Sequence, residues 1–202
     1  MISMIHFSFG QKGKDGDVTI SSEQIVNVYK EVTNIQGAVL TVNNTTNLAI
    51  GDYVMIIQMY GVEENWEDFS GYFGSTGTGL LANQNAAYSY LHAYNYARFN
   101  QYTSGGLHEF AEIRSVSTSA ITVQCSALKN NYDLLKVVQV VKIPRYNNLT
   151  INNGGVIKGA PWNGKTGGII ALEVNGTFNL NTGATAAIDA TGIGYRGGKA
   201  DG

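Results

Sequence analysis

An all-β fold is predicted for this chain, and three features of the sequence predict it. Short runs rich in β-branched residues recur along it, set apart by Asn-Gly, Gly-Gly and Thr-Gly turns. Glycine is abundant, with 25 residues against only 2 prolines, which suits many tight turns between strands. Hydrophobic residues make up 44% and charged residues 14%, so there is enough apolar surface for a core and too little charge to keep the chain unfolded by repulsion. The expected architecture is an N-terminal β-sandwich or barrel-like domain over 17–143, with an inserted loop or short helix at 62–105. It leads into the first coils of a parallel β-helix over 144–202.

The first ten residues, "MISMIHFSFG", are apolar and end in Ser8-Phe9-Gly10, after which "QKGKDGD" turns polar. This is the pattern of the tail of a secretory signal peptide without its basic start, and it predicts a mature N-terminus near Gln11. "DVTISS" (17–22) and "QIVNVYKEVTNI" (24–35) read as strands of the first domain. In "GAVLTVNN" (37–44), Val39 and Thr41 alternate with Leu40 and Val42, which predicts a half-buried strand ending in an Asn43-Asn44 turn. "GDYVMIIQMYG" (51–61) is nearly all apolar, as expected of a strand covered on both faces. "LHEFAEIRSVS" (107–117), "SAITVQCSAL" (119–128) and "LLKVVQVVKIPRY" (134–146) complete the set. The lone cysteine, Cys125, excludes a disulfide within the chain and reads as a small buried hydrophobe.

Between 62 and 105 the strand pattern breaks. The segment is too long for a structureless connection in a compact domain, so an ordered insertion is expected, with a short helix at about 84–97. From Tyr146 the texture changes again. "LTINNGGVIKG" (149–159) and "FNLNTGATAAIDATG" (178–192) are imperfect copies in which Leu149 aligns with Phe178 and Gly154 with Gly183. Repeats of this kind fit β-helical coils with Leu, Ile or Val inside and Asn or Gly at the corners; two further hairpins of one sandwich are the other reading. A coil cannot bury its own end, and "GYRGGKADG" offers no amphipathic cap, so the coils are expected to continue in a longer parent chain.

A net charge of −2 with no basic run argues against a nucleic-acid partner. His6, His92 and His108 lack metal-ligand spacing, and no nucleophile triad, phosphate loop or dinucleotide fingerprint is present. Glu63, Glu64, Glu67 and Asp68 read as a solvated acidic turn rather than a glycosidase pair. "KDGDV" (14–18) and "KADG" (199–202) leave calcium open as a ligand, though neither has the spacing of a calcium loop, and no other cofactor is implied. What remains is a concentration of aromatic rings in the insertion, of which Trp66, Tyr72, Tyr90 and Tyr94 are the candidate binding residues. Flat rings on an extracellular loop can stack on sugars or anchor a protein partner; otherwise they form a small core under the loop.

The segments "GDYVMIIQMYG", "HEFAEIRSVS", "KIPRYNNLT", "PWNGKTGG" and "GYRGG", in that order, carry a resemblance. Over 17–61 and 106–198 the chain resembles the N-terminal region of very large surface proteins of gliding bacteria, exported through the type IX secretion system. The resemblance implies an adhesin or filament subunit at the cell surface, peripheral to the outer membrane, without enzymatic activity. Its partners would be other surface or secretion-system proteins or glycans, with self-association open. The insertion departs from the shorter segment expected there. A runner-up is the non-catalytic front of a β-helical polysaccharide-active enzyme. Such an enzyme needs an Asp, Lys or Arg cluster on one coil face, whereas 147–198 holds only Lys158, Lys165, Glu173, Asp189 and Arg196.

Overall fold

A computed structural model describes residues 12–60, 105–181, 183 and 187–194. The expected signal remnant at 1–10 and the inserted helix at 84–97 lie outside the described residues. In chain order the strands are β1 (Val18–Ile20), β2 (Glu23–Ile25), β3 (Val28–Gln36), β4 (Val39–Val42), β5 (Tyr53–Gln58), β6 (His108–Val116) and β7 (Ala120–Val123). A 3-10 turn at Leu134–Lys136 precedes β8 (Val138–Ile143). Then come β9 (Arg145–Tyr146), β10 (Leu149–Asn152), β11 (Val156–Lys158), β12 (Glu173–Val174), β13 (Phe178–Asn181) and β14 (Ile188–Asp189).

Two architectures share this chain. Strands β3, β4, β7, β6, β5 and β8 close, in that order, into a barrel whose neighbours are all antiparallel. Closure leaves the barrel without a free sheet edge. Its interior takes Leu40 and Val42, Val54 and Ile56, Ile113, Ile121 and Val123, with Val138 and Val140. These are alternate positions along each strand, as a two-residue period requires. The remaining strands form a parallel β-helix. β1, β10 and β13 stack in one sheet, β2, β11 and β14 in a second, and β9 with β12 in a third. Leu149 faces Phe178 in register, the pairing that the sequence copies predict.

The topology departs from a simple two-domain order. The strands at 18–20 and 23–25, expected in the first domain, pair instead with β10 and β11 and form the first coil of the β-helix. The run 24–35 is therefore not one strand. It crosses from coil to barrel at Val26-Asn27, and the barrel is an insertion between the first coil and the second. Cys125 also departs from expectation. β7 ends at Val123, and Cys125 lies beyond it as an exposed free thiol. Partial burial and the nearby Glu109 raise its pKa, which favours the neutral thiol.

A third small cluster explains why "GDYVMIIQMYG" is apolar throughout. Val54 and Ile56 point into the barrel, while Met55 points out and packs with Val141 and Ile143 against Ile169 and Ala171. The segment 159–172, between the second and third coils, thus covers the outer wall of β5 and β8.

Candidate functional site

The junction between barrel and coils gathers most of the buried polar side chains, and each has its own task. Asn27, at the crossing point, donates through Nδ2 to the carbonyls of Lys142 (2.9 Å) and Ala171, and its Oδ1 accepts from Ala171 N–H (3.1 Å). Gln139 does the same to Gly167. Its Nε2 donates to Gly167 O at 3.0 Å and its Oε1 accepts from Gly167 N–H at 2.9 Å. In both cases a side-chain amide stands in for the neighbouring strand that the 159–172 segment lacks, satisfying peptide groups that would otherwise be buried without partners. The Tyr29 hydroxyl donates to Ile169 O and accepts from Ala160 N–H, and burial raises its pKa.

A charged clamp lies at one end of the barrel. Asp52, almost wholly buried, accepts from Lys14 Nζ (2.6 Å), Lys142 Nζ (2.8 Å) and Ala49 N–H (2.8 Å). Lys14 precedes the first coil, so this clamp ties the start of the β-helix to the barrel. Burial opposes the ionisation of Asp52, but the hydrogen bonds from both lysines and from Ala49 outweigh it and hold the carboxyl below its usual range. The clamp's contribution to stability is therefore present above the unfolded carboxylate value, about pH 4, and is lost as pH falls through the lower folded value. Asp52→Asn is expected to cost about 1–2 kcal/mol at neutral pH, because both lysine heads are partly exposed and can rehydrate. Urea unfolding at pH 7 and pH 3 checks this: the variant should lose less stability between the two than the parent.

The "KDGDV" carboxylates, the candidate calcium ligands, are bonded to the chain itself. Asp15 accepts from Arg145 N–H at 2.7 Å, and Asp17 Oδ1 accepts from the side-chain amides of Asn147 (2.8 Å) and Asn148 (2.9 Å). Those amide bonds lower the pKa of Asp17. Asn148 Oδ1 in turn accepts from Thr177 N–H at 2.8 Å, so one corner carries a hydrogen-bonded ladder through all three coils. No group of three acidic, histidine or cysteine side chains able to hold a metal occurs among the described residues.

Beside the junction runs a row of stacked groups. The Arg145 guanidinium sits 4.6 Å over the Tyr53 ring and pairs through Nε and Nη2 with Glu173 at 2.8 and 3.2 Å. The Tyr53 and Phe110 rings stack 5.8 Å apart, and His108 meets Phe110 edge-on at 5.6 Å. Phe110 is 49% exposed, an unusual state for a phenylalanine on a β-strand. Of this row, Tyr53 lies at the far end of β5, and His108 lies at the end of the β5–β6 pair from which the insertion departs. The β5–β6 ladder closes there through Gly106 N–H to Gln58 O (2.8 Å) and Gln58 N–H to Leu107 O (3.0 Å).

The candidate binding residues Trp66, Tyr72, Tyr90 and Tyr94 lie outside the described residues, as do His6, His92, the acidic turn at 63–68 and "KADG". Of the histidines only His108 is described, exposed, with Nδ1 2.9 Å from Gly106 O. Asn27, Gln139 and Asp52 were not singled out from the sequence, although a polar residue within the apolar runs "IVNVY" and "VVQVV" is the available signal.

No family model matches the chain, and no curated protein matches it. Three solved structures are similar to it at low identity. One is the Gp54 tailspike of Acinetobacter baumannii bacteriophage AP22 in complex with A. baumannii capsular saccharide, 14% identical over 85% of this chain and 23% of that one, TM-score 0.32. Another is the Pseudomonas phage phi297 tailspike gp61, 13% identical over 88% of this chain and 22% of that one, TM-score 0.33. The third is the tailspike protein gp49 from Pseudomonas phage LKA1, 15% identical over 82% of this chain and 22% of that one, TM-score 0.31. The chain thus spans less than a quarter of each of these structures.

Proposed function

We propose that this chain is a non-enzymatic structural and adhesive module at the base of a large, exported bacterial surface protein. The observation that carries this reading is the insertion of a closed barrel between the first and second coils of a β-helix, fastened by the buried amides of Asn27 and Gln139 and by the Asp52 clamp. Such a joint holds the barrel on the coils at several separate points, as a structural module under load requires. The outward charges of the described coils support a structural rather than a chemical role. Glu23, Lys158 and Asp189 pair across three coils, and Arg145 pairs with Glu173. The resemblance to type IX-exported adhesins of gliding bacteria agrees with this reading, as does the apolar N-terminal run.

In this account the contact surface is the aromatic insertion, with Trp66, Tyr72, Tyr90 and Tyr94 supplying the rings, and the target is a surface glycan or a partner protein. Because the β5–β6 ladder closes at Gln58 and Gly106, replacing 60–105 with a short Gly-Ser linker should leave the barrel folded, with stability within about 1 kcal/mol of the parent. The shortened protein should lose attachment to cell or mucopolysaccharide surfaces. Periodate treatment of the surface abolishes attachment of the intact protein if the target is a glycan, and protease treatment does so if it is a protein. A folded deletion that attaches like the intact chain overturns the reading.

A further inference from the structure

A lysine sits on the inner face of β3. Val28 and Val32 of that strand pack into the barrel core, and Lys30 lies between them, opposite the buried Val140 of β8. The residue is 7% exposed. Lys14, Lys142, Lys158 and Lys165 each meet a carboxylate, whereas Lys30, the most buried of the five, forms no ion pair among the described residues. Its Nζ donates instead to a neutral group, Asn44 Oδ1, at 2.5 Å. A buried ammonium without a counter-charge is costly, so burial lowers the pKa of Lys30 and favours the free amine.

The turn after β4 holds Asn44 against this amine. Asn43 N–H bonds Glu31 O at 3.2 Å, which lays the turn along β3, and Asn44 N–H bonds Asn43 Oδ1 at 3.1 Å. Thr45 Oγ1 donates to Ser117 O at 2.7 Å and ties the turn to the β6–β7 connection. Asn44 Oδ1 also accepts from Thr46 N–H at 3.2 Å. Two donors on one carbonyl oxygen draw electron density from Asn44 Cγ, and the Thr46 N–H is placed to hold negative charge on that oxygen. A desolvated amine is thus fixed beside a polarised carboxamide, nucleophile against acceptor.

We infer that Lys30 and Asn44 are a self-modification site, joined in the mature protein by an isopeptide bond. In the step, Lys30 Nζ, as the free amine, adds to Asn44 Cγ, and the carbonyl electron pair moves onto Oδ1 beside Thr46 N–H. One Nζ proton passes to Nδ2, the Cγ–Nδ2 bond breaks, and ammonia leaves as the carbonyl re-forms. Nothing is oxidised or reduced, and no co-reactant is consumed. Asn44 is exposed on its other side, so solvent can relay the proton and carry the ammonia away. The bond would close the β3–β4 hairpin covalently, on the strand by which the chain arrives from the first coil, and so restrict the unfolded state. It does not depend on what the insertion binds.

The sequence supplies a direct test. No lysine or arginine lies between Lys30 and Arg98, so trypsin cuts an unlinked chain after Lys30 into 15–30 and 31–98. An acylated Lys30 is not cut. The full chain, held folded at neutral pH and then denatured and digested, should give one peptide, 15–98, lighter than its sequence by one ammonia. Fragmentation should place the link between Lys30 and Asn44. Asn44→Ala should restore both the cleavage and the full mass. An asparagine that merely cyclises also loses ammonia but leaves the cleavage after Lys30 intact. Recovery of the parent protein cleaved after Lys30, or at full mass, overturns the inference, as does an Asn44→Ala protein that stays uncleaved and light.

Discussion

Gly155→Ala is expected to destabilise the protein by about 3–4 kcal/mol, near the upper end for a change of one methyl group. A Cβ at Gly155 would lie 2.3 Å from Ile20 O and 2.8 Å from Ile20 C, both backbone atoms of the first coil. Backbone cannot turn aside as a side chain can, so the first and second coils must separate. Ile20, buried against Leu149 and Ile151, would lose its packing with them. Gly183→Ala is the control. Its Cβ meets nothing within 4 Å, and only its positive φ of 61° resists the change, worth about 1 kcal/mol. Urea unfolding of both variants gives the comparison. A Gly155→Ala protein no less stable than Gly183→Ala contradicts the stacking of the first coil on the second.

Gln139→Leu is expected to cost about 3 kcal/mol. The side chain is fully buried and carries both peptide groups of Gly167, so leucine leaves a buried N–H and a buried C=O without their partner, each worth about 1–3 kcal/mol. The loss should be local before it is global. Limited proteolysis within 159–172 should quicken in the variant under conditions where the barrel strands resist cleavage. A variant that unfolds at the parent's urea midpoint, with 159–172 still resistant, contradicts the role given to Gln139.

The sequence makes the two architectures legible but not their order in space. Alternation in "GAVLTV" and the apolar run of "GDYVMIIQMYG" read correctly, because those strands are long enough to show a period and bury one or both faces. The copies at 149–159 and 178–192 gave the coil register through Leu149 and Phe178. β1 and β2 read as strands but of the wrong domain, because each is three residues long, too short to show which sheet it joins, and because their partners lie beyond the whole barrel. Cys125 was misread for the opposite reason: its run is apolar enough to suggest a strand, yet the pairing of β7 stops at Val123. Asn27 and Gln139 look like ordinary strand residues in sequence, since the peptide groups that they satisfy belong to a segment with no strand of its own.

The chain enters the β-helix, through β1 and β2, before it enters the barrel at β3. Thr19 and Thr150 face each other in the β1–β10 pair, so neighbouring strands place their Cα atoms within disulfide range, about 5 Å. With Cys125 changed to serine, Thr19→Cys combined with Thr150→Cys should close to an intramolecular disulfide on mild oxidation, read by mass spectrometry of the non-reduced digest. Failure of that pair to close in folded protein would contradict the account, above all if Thr19→Cys cross-links instead to a cysteine placed on a barrel strand.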